Sequence, residues 1–143
     1  MNGYLVDTNV VSEILRPAPD PHVAAWSQRP AKQMLLLSVV VSMGELRKGV
    51  TMLPASARRT RLEESIEEQV PLWFQGRVFS VTQAIAERWG EFDGIRQLAG
   101  RPLNAPDGMI AATALEHDLA VVTRNVKDLA ELGVALKNPW LEQ

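Results

Sequence analysis

Tyr4-Leu5-Val6-Asp7-Thr8-Asn9 is an apolar triplet that breaks at once into polar residues. Such a short run, ending so abruptly, predicts a buried strand leaving a sheet. Thr8 or Asn9 can cap a helix over Val10 to Leu15, so Asp7 is not needed as the cap. Arg16-Pro17-Ala18-Pro19-Asp20-Pro21 then stops that helix, because proline cannot continue a helix and restricts the residue before it.

The same strand-then-helix alternation recurs outward from this stretch. A short helix carries Val23, Ala24 and Trp26, and Met34 to Leu37 reads as a second strand. A helix is predicted from Ser38, with Val39, Met43, Leu46, Val50 and Leu53 on one face, and Pro54 ends it. Arg58 to Gln69 reads as a charged helix with Leu62 and Ile66 inward, and Arg77 to Val81 as a third strand. Ala84 to Leu98 is predicted helical, with Ile85, Trp89, Phe92 and Ile95 on one side. Pro106 suits the first turn of a buried helix opened by Asp107 and ending at His117. Leu119 to Thr123 reads as a fourth strand, Val126 to Leu132 as a short helix stopped by Gly133, and Val134 to Leu136 as an edge strand. Strands alternating with helices predict an α/β fold: one domain over residues 1–143, with a central, mostly parallel, twisted sheet of four or five strands flanked by helices.

Bulk composition narrows the function. The chain has 143 residues, 46% apolar and 22% charged, the make-up of one ordinary globular domain. A net charge of −2 supplies no global field that would draw nucleic acid, so such contacts would need a local basic patch or a bridging cation. The absence of cysteine excludes disulfides, thiolate metal sites and cysteine nucleophiles, and fits a cytoplasmic location. Asp7 interrupts the first apolar run, which leaves no signal-peptide core there, and no apolar stretch approaches the ~20 residues of a membrane span.

Acidic residues recur at the strand–helix junctions. Asp7 follows the first strand, Glu45 lies in the helix after the second, and Asp107 opens a helix. Asn125 and Asp128 follow the fourth strand. In open α/β sheets, sites form where chains leave the carboxyl ends of strands. Oxygen donors without His or Cys suit a hard cation, Mg²⁺ or Mn²⁺. Each acid alone has an ordinary reading as a helix cap or a solvated surface charge. Ser38, Ser42, Glu45 and Gly49 fall on one predicted helical stripe, which leaves room beside the acid. Arg47, Lys48, Arg124 and Lys127 neighbour the acids in sequence and could hold phosphates. Arg58-Arg59-Thr60-Arg61 reads as a self-paired solvated helix, because Glu63, Glu64, Glu67 and Glu68 follow it. No glycine-rich phosphate loop and no G-x-S-x-G elbow is present.

These stretches carry a resemblance. Leu5 to Glu13, Ser38 to Gly49, Asp107 to Ala114 and Val122 to Leu129 resemble, in order and spacing, the motifs of PIN-domain ribonucleases, nearest the VapC and FitB toxins of bacterial toxin–antitoxin pairs. The ending Asn138-Pro139-Trp140 is similar too. The resemblance implies a Mg²⁺- or Mn²⁺-dependent endoribonuclease, with transfer RNA a frequent target in the family. It also implies a homodimer, held inactive by a small DNA-binding antitoxin that represses the shared operon. It assigns Asp7, Glu45 and Asp107 as metal-binding acids, with Asn125 where the family often has Asp, and Asp128 one turn on as its substitute. Thr8, Asn9, Ser42 and Thr123 would hold the carboxylates in place.

Two rival readings use the same residues. A phosphatase would use Asp7 as nucleophile, but its common form needs a second Asp where this chain has Asn9. A non-catalytic regulatory partner would account for Asn125 at the fourth position.

Overall fold

The computed structural model describes residues 3–28 and 36–141. In chain order it contains β1 (Tyr4–Val6), α1 (Thr8–Ile14), α2 (Pro21–Ser27), β2 (Leu36–Val39), α3 (Val40–Thr51), α4 (Ala57–Glu64), a π-helical turn (Ser65–Gln69), α5 (Val70–Phe74) and β3 (Val78–Phe79). Then follow α6 (Gln83–Leu98), α7 (Ala105–His117), β4 (Ala120–Val122), α8 (Val126–Leu129) and β5 (Leu136–Lys137). The sheet order is β3-β2-β1-β4-β5, and all four strand pairings among the described residues are parallel.

Side-chain alternation along the two central strands divides the core. Leu5 and Val121 face one side with Ile110, Ala111, Ala114 and Leu129. Val6 and Val122 face the other with Val10, Val11, Trp26, Leu46 and Val70. Both sides are covered, so β1 and β4 are apolar throughout, as parallel strands need to be. No described helix is long and apolar enough to cross a membrane.

Several elements depart from the sequence expectations. The second strand runs to Val39 and α3 begins only at Val40, so Ser38 and Val39 lie on the strand and the stripe Ser38-Ser42-Glu45-Gly49 does not exist as one helical line. Met34 and Leu35, expected to begin that strand, lie outside the described residues. The third strand is Val78–Phe79, shorter than Arg77 to Val81. The last strand is Leu136–Lys137, with Val134 before it. Ile95, expected inward, is 58% exposed, and α6 packs instead through Ile85, Trp89 and Phe92. Asp7, not Thr8 or Asn9, caps α1. Asn104 caps α7, so Asp107 lies within the first turn and does not open it.

The charged helix continues past Gln69 to Phe74. Leu62, Ile66, Val70 and Phe74 all pack on the same core, and they are spaced at four. An α-helix of 3.6 residues per turn carries such a series steadily off one line. The wider π-helical turn takes up the excess and keeps the stripe on the core.

One close approach fixes the start of α7. A methyl group at Gly108 would stand 2.6 Å from Trp89 Cδ1 and 3.0 Å from Leu103 Cδ2. Gly108→Ala is therefore expected to destabilise the protein by about 1–3 kcal/mol, despite alanine's better helix propensity, because the α6–α7 contact must open. Chemical denaturation measures this, and a stability equal to the parent's would show that the contact is loose.

Candidate active site

β1 is the middle strand, and the chain leaves it to β2 on one side while β4 lies on the other. The carboxyl ends of β1 and β4 therefore bound a topological switch point, where open α/β sheets form their crevice. Asp7 leaves β1 there and Thr123 leaves β4. The register Val6↔Val122 sets them side by side, and the Asp7 N–H donates to the Val122 carbonyl at 2.9 Å.

Asp7 is only 3% exposed. A buried carboxylate needs hydrogen bonds to replace water. The Thr8 backbone N–H donates to Oδ1 at 2.7 Å. The Thr123 hydroxyl donates to Oδ2 at 2.7 Å, and Asn9 Nδ2 donates to the same oxygen at 3.3 Å. Three of about four lone-pair sites are thus filled, and the open one is on Oδ1. A carboxylate so enclosed makes a poor nucleophile, which counts against the phosphatase reading. Burial is the main cause that pushes the Asp7 carboxyl above its ordinary range, and the Glu45 charge adds to it; the Thr123 and Thr8 bonds act the other way.

Thr8 and Asn9 each do two things. The Thr8 hydroxyl donates to Glu45 Oε1 at 2.8 Å, tying α1 to α3. Asn9 Oδ1 accepts from the Arg124 backbone N–H at 3.3 Å, tying α1 to the loop after β4. Thr123 Oγ1 in turn accepts from the Asn125 N–H at 2.9 Å. Ser42 is the exception: it is buried, and among the described residues its hydroxyl has no hydrogen-bond partner and holds no carboxylate, contrary to expectation.

Asp107 stands in the first turn of α7, half-buried. Its carboxyl is pushed from an ordinary 3.8 up to about 6, first by burial and then by the charges of Asp7, Glu45 and Asp128. Of the two residues expected for the fourth acidic position, Asp128 therefore acts on Asp107. Asn125 is exposed, caps α8 without a side-chain bond, and contributes its backbone N–H to Thr123.

The donor set is all oxygen, and four acids from four elements act on one another. Both features fit a hard divalent cation, which removes such repulsion. No group of three or more acids is set at metal-ligating geometry among the described residues.

A hollow of about 880 Å³ opens beside these acids, between α1, α3 and α4. Asn9, Glu45, Arg58, Arg61 and Arg124 are among its polar lining residues. Leu46, Val50, Leu62 and Ile66 form its apolar wall. Of the predicted phosphate contacts, Arg47 pairs with Glu67 at 3.4 Å, Lys48 and Lys127 are exposed, and Arg124 alone lines the hollow. Arg59 pairs with Glu63 at 2.7 Å, as a self-paired helix requires, but Arg58 and Arg61 face the hollow. Trp140, which the sequence marked only as part of the family-like ending Asn138-Pro139-Trp140 and not as a site residue, packs under Arg124 with 4.9 Å from guanidinium carbon to ring centroid.

Known proteins share this architecture. The PIN domain family matches residues 4–134. Toxin FitB of Neisseria gonorrhoeae is 35% identical over 136 residues, 95% of this chain and 97% of that protein. VapC ribonuclease Y4jK of Sinorhizobium fredii is 32% identical over 136 residues, 95% of this chain and 96% of that protein. The crystal structure of FitAcB from Neisseria gonorrhoeae superposes with a TM-score of 0.86 at 33% identity, covering 97% of this chain and 99% of that one. FitAB bound to an IR36 DNA fragment gives 0.86 at 31% identity, covering 98% and 97%.

The raised Asp107 carboxyl makes stability depend on pH. It holds its proton more tightly folded than unfolded, so its contribution is complete below 3.8 and is lost as pH rises through about 6. Relative to Asp107→Asn, the metal-free parent should lose on the order of 1–2 kcal/mol across that window, allowing for solvent screening of a half-buried group. Denaturation of both proteins from acid to neutral pH without divalent cations checks this. A pH-independent difference between them would show that folding does not raise the Asp107 carboxyl.

Proposed function

The chain belongs to the PIN-domain family, and from that premise we propose that it is a divalent-metal-dependent endoribonuclease, the toxin of a toxin–antitoxin pair. The observation that carries this reading is the shared electrostatics of Asp7, Glu45, Asp107 and Asp128 around one crevice. Relatives named as a toxin and as a ribonuclease, aligned nearly end to end, support it. The partner is proposed to be a small DNA-binding antitoxin, by analogy with FitAB on its DNA fragment, and the active form a homodimer working in the cytoplasm. The substrate class is RNA.

Asp7, Asp107 and Glu45 are the proposed holders of Mg²⁺ or Mn²⁺, with Asp128 as the fourth acid. Such an ion, when bound, lowers the pKa of water and stabilises charge developing on a phosphate. The protein's own part is positioning. Thr8, Asn9 and Thr123 fix Asp7 so that its free Oδ1 site faces the crevice. Thr8 holds Oε1 of Glu45, which leaves Oε2 to orient the attacking water and take its proton. Asp128 adds negative charge that disfavours ionised Asp107 in the empty crevice and attracts a cation that would relieve the repulsion.

Asp7→Asn is expected to abolish RNA cleavage and to leave thermal stability equal or slightly higher, because it removes one charge from a repelling set. Cleavage and melting measured together decide: full activity would remove Asp7 from the site, and gross unfolding would make its role structural.

The fourth position has its own test. Calorimetric Mn²⁺ titration should show Asp128→Asn weakening affinity by roughly tenfold, the loss of one nearby charge. Asn125→Asp should change it much less. The reverse order would return the fourth position to residue 125.

A further inference from the structure

Arg124 is fixed at both ends. Its backbone N–H donates to Asn9 Oδ1 at 3.3 Å, and the Nδ2 of the same Asn9 reaches Asp7. Its guanidinium lies over the Trp140 ring at 4.9 Å. Trp140 is itself anchored: Pro139 beside it is buried, its N–H donates to Asn138 Oδ1 at 3.0 Å, and its ring packs against the core.

The surroundings make this arrangement unexpected. Arg124 lines the hollow together with Glu45 and Glu13, yet no ion pair joins it to either among the described residues. Glu13 pairs with Arg16 at 3.3 Å. A flexible, exposed arginine beside several acids would be expected to fold onto them, since charged groups a few ångströms apart attract strongly when partly desolvated. A guanidinium stacked on an aromatic face keeps its charge and its outward N–H groups while losing rotational freedom.

We propose that Trp140 is a positioning residue that parks Arg124 beside the acid centre and outside it, so that the guanidinium is presented to an RNA phosphate next to the cleaved one. Without the ring, Arg124 falls onto the acids and competes with the divalent cation. This rests on the nuclease reading and adds to it a named phosphate contact and the device that maintains it.

The test uses the whole protein, Mn²⁺ calorimetry, and steady-state cleavage of a mixed-sequence single-stranded RNA pool. Arg124→Ala should raise KM roughly three- to tenfold, the loss of one oriented phosphate contact, with Mn²⁺ affinity held. Trp140→Ala should raise KM similarly and also weaken Mn²⁺ binding. Trp140→Phe should restore both, because it keeps an aromatic face. The double substitution Trp140→Ala with Arg124→Ala should recover Mn²⁺ affinity while KM stays high, a result that loss of packing alone cannot give. KM unmoved in Arg124→Ala, or a double variant that binds Mn²⁺ no better than Trp140→Ala, overturns the proposal and leaves the nuclease reading standing. A parent chain inert towards RNA overturns both.

Discussion

A carboxylate buried at the centre of a parallel sheet constrains everything around it. Asp7 is tolerated there because donors reach it from two strand ends, Thr8 and Asn9 after β1 and Thr123 after β4. Those donors meet only while β1 and β4 keep their register, Val6 opposite Val122. A slip of one residue would turn Thr123 to the opposite face and strand the charge. Sheet register and site geometry are thus one constraint. The apolar alternation that places Leu5 and Val121 on one face, and Val6 and Val122 on the other, also places the acid and its donors.

Local signals made much of this legible. The abrupt end of Tyr4-Leu5-Val6, the alanine-rich helix behind Pro106 and the apolar run before Thr123 each announce an element within a few residues. What could not be read locally depends on partners distant in sequence. Whether Ser38 begins a helix or ends a strand is settled by pairing with Val78 on β3. The inward face of α6 is settled by contacts with distant residues, such as Trp89 beside Gly108, and Ile95 is left exposed. The series Leu62, Ile66, Val70, Phe74 is visible in the sequence, but its spacing of four signals a widened turn only once all four are known to meet one core.

The site shows the same division. That acids gather was readable, because Asp7 and Asp128 follow apolar runs, Glu45 lies in the helix after another, and Asp107 stands in the first turn of a mostly apolar helix. How Asn125 and Asp128 stand to the other acids was not, because it depends on the turn into α8: the N–H of Asn125 donates to Thr123, and the charge of Asp128 acts on Asp107. Ser42 shows the converse: a polar residue three before Glu45 looks like a supporting contact, yet its hydroxyl meets no partner.

The acid centre and its basic neighbours pose opposite demands. The acids must repel one another enough to favour a cation, and an arginine must stand close enough to hold a phosphate without supplying that cation itself. Distance alone does not separate these roles, since Arg124 is tied through Asn9 to the very residue it must leave free. An aromatic ring resolves the conflict because its attraction for guanidinium requires no opposing charge. Lys48 and Lys127, exposed on their helices, have no such restraint among the described residues and can steer a polyanion only diffusely. Net charge near zero then ceases to argue against an RNA substrate. What matters is one cation of fixed orientation beside a crevice, not a positive field over the whole surface.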